Sequence, residues 1–167
     1  IKLLNKIHGK SVGFYPEIKA PEWHLMEGKD ITQVVYNVLE KHDLVDSEAN
    51  IFIQSFYPTT LKRLKNEFGV TASLVQLIAE NKWAESSADY AYLRSPAGLA
   101  EIATYAEGIG PWLPHLYSFQ NKRQTSLLSD ARALGLVAHP YTFRADDLPD
   151  GITSEALLTL LTETLQV

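Results

Sequence analysis

The sequence predicts an α/β fold built on a parallel sheet with helical crossovers. Apolar strand-like runs alternate with amphipathic helical runs five times along the chain, which is the signature of that architecture. The strand runs are nearly continuous in apolar residues, as expected of a sheet covered by helices. Polar residues gather just after those runs, where parallel α/β proteins place their chemistry.

Ser11 to Ile18 is the first strand, and Asp30 to His42 is a helix with Ile31, Val34, Val35, Val38 and Leu39 at helical spacing. Ile51 to Ser55 is the second strand. Pro58 to Phe68 is a helix that opens on proline and stops at Gly69. Ser73 to Ala79 is the third strand, and Pro96 to Ala106 is a helix with Leu99, Ile102, Ala103 and Ala106 on one face. Glu107 to Pro111 is a short fourth strand, and Thr125 to Leu134 is a helix that stops at Gly135. Leu136 to Ala138 is the fifth strand, broken by His139-Pro140. Thr153 to Leu165 is the last helix, capped by Thr153 or Ser154 with Glu155 in its first turn. His8, next to Gly9, reads as a helix end. The longest connection runs from Glu80 to Ser95 and carries Trp83, Tyr90 and Tyr92. Long loops after strands often serve a site.

A chain of 167 residues supports one domain with a real core, and residues 1–167 show no internal boundary, repeat or low-complexity stretch. Five units do not close an eight-stranded barrel, which takes about 250 residues. An open doubly wound sheet and an incomplete barrel both fit the pattern. Side chains are 46% hydrophobic and 21% charged, the profile of a soluble globular protein. The net charge of -5, with no basic cluster, argues against nucleic acid as a partner. No apolar run approaches the roughly 20 residues of a membrane span. The chain has no cysteine, which removes disulfides, thiolate catalysis and zinc-cysteine sites and suits an oxidising compartment. It opens on Ile1 without a visible signal peptide, which fits removal of a leader or of a larger segment.

Glu17 and Lys19 stand two residues apart at the end of the first strand and project to the same side. One suits a metal ion, the other an anion. The structural alternative is an ion pair with Lys19 or Lys10. Gln54 and Ser55 stand at the end of the second strand, Gln76 sits in the third, and His139, Tyr141 and Arg144 come after the fifth. If the strands are parallel and adjacent, these groups converge on one rim. Gln76 also fits a purely structural role, bonding buried backbone groups, and His139 fits a hydrogen-bonded strand end. His24, His42 and His115 lack partners at metal-ligand spacing, which favours surface roles, and Lys62-Arg63-Lys65 reads as a solvated helix face. Glu22-Trp23-His24 reads as a loop that could line a pocket, with Trp23 equally suited to packing. No glycine-rich phosphate loop, Gly-x-Ser-x-Gly elbow or His-Glu-x-x-His is present.

The run Tyr15-Pro-Glu-Ile-Lys-Ala-Pro21 resembles the glycerophosphodiester phosphodiesterase family, especially its longer bacterial periplasmic type. Ile53-Gln-Ser-Phe56, Leu74-Val-Gln-Leu-Ile78, Gly108-Ile-Gly-Pro111 and Ala138-His-Pro-Tyr-Thr-Phe-Arg144 with Leu148-Pro149 agree in the same order. Each motif is weak alone; five in register are specific.

The resemblance implies a (β/α)8 TIM barrel, of which this chain covers about five consecutive βα units, roughly strands three to seven. It implies hydrolysis of glycerophosphodiesters to glycerol 3-phosphate and an alcohol. It also implies a divalent metal, calcium rather than magnesium, held by three carboxylates of which Glu17 matches one. Lys19 matches the phosphate-binding residue, and Gln54, Gln76, His139 and Tyr141 fall on the rim or the glycerol side. A periplasmic or secreted location is implied by the same resemblance.

The family's two catalytic histidines, in His-Arg-Gly and His-Asp motifs, have no counterpart upstream of Glu17, and no Glu-x-Asp precedes it. His42-Asp43 lies downstream, at a helix end. A Thr-Asp-Phe-Pro-like segment is missing as well. No residue of this chain is therefore assigned as general acid or base, and the chain alone is expected to be inactive. The expected partners are the small diester and either the remaining barrel segments or a second copy of the chain. A non-catalytic α/β module that docks through its open sheet edges is the alternative from another class.

Overall fold

The computed structural model describes residues 1–167. Eight α-helices surround one parallel sheet. The helices are α1 (Lys2–His8), α2 (Pro21–Met26), α3 (Ile31–Lys41), α4 (Pro58–Asn66), α5 (Tyr90–Leu93), α6 (Pro96–Ile102), α7 (Leu127–Ala133) and α8 (Ser154–Thr159). Residues Leu160–Leu165 continue the last helix with wider π-type turns. The sheet strands are β1 (Phe52–Ser55), β2 (Ser73–Ile78), β3 (Gly108–Pro111) and β6 (Val137–Ala138), in the spatial order β1-β2-β3-β6. A small hairpin of β4 (Tyr117–Ser118) and β5 (Arg123–Gln124) sits apart, in a stretch where the sequence pattern predicts no strand.

All neighbouring sheet strands are parallel and keep chain order without a reversal. A doubly wound sheet needs such a reversal to form its crevice, so that alternative is removed. Successive strands that add on one side only are what a barrel wall requires.

The first predicted strand needs a correction. Residues 14–17 touch β1 through two isolated bridges, Phe14 to Ile51 and Glu17 to Gln54. The ladder between them is nonetheless regular. Phe14 N–H donates to Asn50 at 2.9 Å, Phe52 to Phe14 at 3.0 Å, Gln54 to Pro16 at 3.0 Å and Ile18 to Gln54 at 2.9 Å. The one bond missing is the donor that Pro16 does not have. The segment is a fifth, edge strand interrupted at its proline, a position that sheets tolerate only at an edge.

The sheet is strongly curled. Five strands at about 4.8 Å spacing would put the edge strand and β6 roughly 19 Å apart if flat. Yet the Tyr15 hydroxyl lies 2.8 Å from His139 Nδ1, across that whole width. Two side chains cannot bridge such a gap unless the wall bends towards closure. Gly108 and Gly110 serve this bending. A Cβ on Gly108 would lie 2.7 Å from Val137 Cγ2, and one on Gly110 would lie 2.5 Å from Leu77 Cδ2. Their bare backbone leaves the inner face to side chains from both neighbours.

The opposite face carries the core. Ile53, Leu74, Ile78 and Ile109 point outward against Leu61, Leu64, Leu99, Ile102 and Leu128 of the helices, all fully buried. The basic run of α4, expected to be solvated, instead ties the helix layer together. Arg63 grips Asp30, the N-cap of α3, through two bonds of 3.1 and 2.9 Å. Lys62 reaches Glu101 of α6 at 2.7 Å, and Lys65 reaches Glu107 at 2.9 Å. Periodicity shows that a residue faces outward, but not that a neighbouring helix brings it a carboxylate. The Glu22-Trp23-His24 stretch is likewise helix α2 rather than loop, because Pro21 sits at its first turn, where a missing N–H costs nothing.

Candidate active site

Glu17 and Lys19 leave the edge strand where it ends, on the inner side of the wall. Ile18 between them turns the other way and is buried in the core, which is how alternation puts the two charged groups together. Lys19 Nζ lies 3.5 Å from Glu17 Oε2. The lysine side chain is 76% exposed and the glutamate 20%. The pair is therefore a partly buried carboxylate with a solvent-facing ammonium beside it. Gln54 is the bridge partner of Glu17 and sits half-buried next to it.

His139 comes from the far side of the curled wall. Its half-buried ring is bonded to Tyr15 and meets Phe52 edge-on at 4.8 Å between centroids. Burial pushes its pKa below the usual imidazole value, so the ring is neutral at pH 7 and adds no positive charge for a phosphate. Burial also pushes the Tyr15 hydroxyl up to about 12. Tyr141 stands at the rim, but its hydroxyl donates to the Ile78 carbonyl at 3.0 Å and its ring packs edge-on against Phe56. It forms a wall.

Gln76 is placed elsewhere. It points into the helix layer and is fully buried. Its amide nitrogen reaches the carbonyls of Ser55, Phe56 and Leu77 at 3.3, 3.3 and 2.9 Å, and its oxygen accepts from Tyr105 at 3.0 Å. Every polar atom of this side chain is used in holding the fold, and none faces the rim. The structural role foreseen beside the functional one is the role the geometry gives it.

One cluster at the rim is invisible in the sequence. His115, expected at the surface, is 7% exposed in its side chain. Its Nε2 donates to Glu80 at 2.9 Å, and Arg94 approaches within 3.0 Å while donating to the Ala79 carbonyl at 2.8 Å. The hydrogen bond from His115 holds the Glu80 carboxyl below its usual range. The same contact raises the imidazole pKa, but burial outweighs it and the net shift is downward. Glu80 and Arg94 stand near the two ends of the connection after β2, and His115 stands in the connection after β3, so no spacing in the sequence could reveal them. Next to them Trp112 packs edge-on to His115 at 5.5 Å and to Trp83 at 5.0 Å. Of the aromatic residues in the long loop, Trp83 lines the rim, whereas Tyr90 is fully buried and bonds to Ser86.

These groups converge on the C-terminal rim of a parallel wall, the place where barrels of this kind carry their chemistry. The arrangement supplies a carboxylate and an ammonium that an anion can reach. No three His, Cys, Asp or Glu side chains come close enough together to hold a metal ion, and no helix is long and apolar enough to cross a membrane.

Comparison with known proteins agrees with this geometry. A protein named glycerophosphodiester phosphodiesterase from Haemophilus influenzae is 35% identical over 176 residues, covering 92% of this chain and 47% of the relative. Its namesake from Treponema pallidum is 29% identical over 170 residues, covering 89% and 47%. One from Bacillus subtilis is 33% identical over 138 residues, covering 80% and 40%. The chain thus spans about half the length of the curated relatives it matches. The profile of the glycerophosphoryl diester phosphodiesterase family matches residues 3–161, and with the curled parallel wall this shows that the chain belongs to that TIM-barrel family.

Proposed function

We propose that this chain forms roughly strands three to seven of an enzyme that hydrolyses glycerophosphodiesters to glycerol 3-phosphate and an alcohol. Three things support the reading: family membership, the register of the wall, and above all the Glu17–Lys19 pair. That pair puts a partly buried carboxylate 3.5 Å from an exposed ammonium at a strand end. A phosphodiester is an anion, and attack on it needs its charge offset by fixed positive groups. Lys19 supplies one such charge as a compact point donor.

The family is generally dependent on a divalent metal. The residues of this chain do not complete such a centre. Glu17 offers one carboxylate, and no group of three ligating side chains surrounds it, whereas calcium takes six to eight oxygens. Within the whole enzyme, Glu17 is one ligand among several, and calcium suits the site better than magnesium because it tolerates irregular, partly solvent-filled coordination. Gln54 faces the glycerol side beside Glu17. His139 and Tyr141 shape the opposite wall and exclude water there. Gln76 has no part in binding.

No side chain of this chain acts as general acid or base in this reading, so the 167-residue chain should show no turnover of glycerophosphocholine in calcium. Turnover that disappears in Glu17→Ala would overturn that statement. In the barrel-complete enzyme, Glu17→Gln and Lys19→Met should each lower kcat/KM by on the order of 10²-fold or more.

A second reading concerns how the chain is completed. Apolar side chains crowd its leading side: Leu3 is 68% exposed and Ile7 63%. Val34 and Val38 of α3 and the inner-face Tyr15 and Val137 are also half exposed. Such surface favours docking, either with further barrel segments or with a second copy. Light scattering of the purified chain separates the two, since a monomer that binds the remaining barrel segments supports the first. A periplasmic or secreted location is part of this proposal and rests on the family resemblance and the lack of cysteine.

A further inference from the structure

Glu80 and His115 each sit at one end of a single 3₁₀ turn, with a tryptophan at the other end. Glu80 caps Asn81–Trp83, and the Trp83 N–H donates to the Glu80 carbonyl at 3.0 Å. Trp112 caps Leu113–His115, and the His115 N–H donates to the Trp112 carbonyl at 2.8 Å. The two turns meet at both ends. At one, His115 Nε2 lies 2.9 Å from Glu80 Oε1; at the other, the indoles of Trp83 and Trp112 lie 5.0 Å apart at 71°. The four residues form a closed circuit that joins the connection after β2 to the connection after β3.

The imidazole is the sensitive point of this circuit. Its Nε2 faces the Glu80 carboxylate, an acceptor, so the neutral ring carries its hydrogen there. Nδ1 is buried and has no hydrogen-bond partner. In the neutral ring it is a bare lone pair, which is tolerated more readily than an orphaned N–H. Protonation would place an N–H at that atom with no acceptor. It would also add positive charge to a ring whose Nε2 is 3.0 Å from Arg94 Nη1. Attraction to Glu80 opposes both effects, but burial outweighs it and the pKa falls below the ordinary 6.5. Glu80 and Arg94 are the charged groups that face the ring; Lys82 acts on Glu80, and Asp89 faces Arg94. Trp112 meets the ring edge-on at 5.5 Å, and Thr125 bonds only the His115 carbonyl, at 2.6 Å.

We propose that His115 is a positioning residue whose neutral ring clips the two rim connections and holds Trp83 against Trp112, and that protonation opens the clip. Water must reach the new N–H, so His115 has to leave its place, and its 3₁₀ turn takes Trp112 along. Both indoles line the cleft at the rim, so that stretch of wall is fixed at neutral pH and loosened in acid. The clipped ring binds a proton less readily than the released one. The clip is therefore complete above about pH 6.5 and weakens below it, by up to about tenfold per pH unit until the depressed value is passed. This inference stands on the geometry of the rim and is independent of the phosphodiesterase reading.

The test follows the indoles of the 167-residue chain by near-ultraviolet circular dichroism, from about pH 7.5 to about pH 5. The signal of the pair is identified by its loss in Trp112→Phe. In the wild type it should fall by about half or more in acid, while the far-ultraviolet signal stays constant. His115→Gln takes no proton, and its amide can still donate to Glu80. It should keep the pair signal across the whole range, a rescue that a merely structural role would not give. Trp23→Phe should leave the pH response unchanged. His115→Leu should lack most of the pair signal at every pH. If that variant fails to fold, Glu80→Gln decides: it removes the attraction that protonation gains, and the loss should move to higher pH.

A pair signal that holds steady down to about pH 5 overturns the proposal. An acid loss in His115→Gln equal to that of the wild type overturns it too. So does a far-ultraviolet change that coincides with the near-ultraviolet one, because the whole chain is then unfolding rather than the clip opening.

Discussion

The inner rim and the outer helix layer use the same residue types in opposite ways. In the helix layer, polar groups are consumed by the fold. Gln76 bonds three carbonyls and a tyrosine, and Arg63 clamps a helix cap. At the rim, Lys19 touches only the edge of a glutamate and otherwise meets solvent. A charged group with little structural employment, held at a strand end, is available to a ligand. The comparison teaches that residue type and position along a strand do not mark a site. The decisive fact is which face of the wall the residue takes and what its atoms already hold.

If that contrast is sound, stability should separate the two regions. Gln76→Leu should cost most, about 2–3 kcal/mol by urea unfolding, because it strands the Tyr105 hydroxyl and buried carbonyls without partners. An unchanged midpoint would break the comparison at its strongest point. Asp30→Ala should cost about 1–2 kcal/mol, mostly through loss of the cap to Gln33 at 3.1 Å. The Arg63 pair adds little, since both side chains are about a third exposed.

A smaller effect is expected from acid. Burial depresses the pKa of both His115 and His139. The unfolded chain therefore binds more protons than the folded one below the ordinary value of 6.5. Their contribution is complete above about pH 6.5 and is lost as pH falls through the depressed values, so melting temperature should decline from pH 7 towards pH 5. His115→Gln should flatten that decline. The smallest change belongs to the rim: Lys19→Met and Glu17→Gln should alter stability by no more than about 0.5 kcal/mol. A large loss in either would give the pair a structural purpose and bring the two regions together.

Much of the wall is legible in the sequence. Strand runs too apolar for a two-faced sheet, with polar residues placed after them, point to the parallel architecture and the rim. Glu17 and Lys19 are legible because a two-residue spacing on a strand fixes a common side. Gln76 is ambiguous for the complementary reason. A lone polar residue in an apolar strand faces either the barrel interior or the helices, and only the register of Leu74 and Ile78 against the helices decides between them. The burial of His115 is hidden because its partners, Glu80 and Arg94, lie 35 and 21 residues away. Helix α2 is hidden because proline marks both loops and first helical turns, and only the packing of residues 22–26 decides between the two.

The bond between Tyr15 and His139 also bears on how the chain folds. It joins residues 124 positions apart. Closing a loop of that length on its own would cost about 4 kcal/mol of chain entropy, more than one such bond returns. The strands between them must therefore assemble first, each adding beside its predecessor, and the curl tightens last. Contacts formed that late weigh on the unfolding rate rather than the folding rate. The loss of this one hydroxyl in Tyr15→Phe should leave the chain folding at its usual speed but opening sooner.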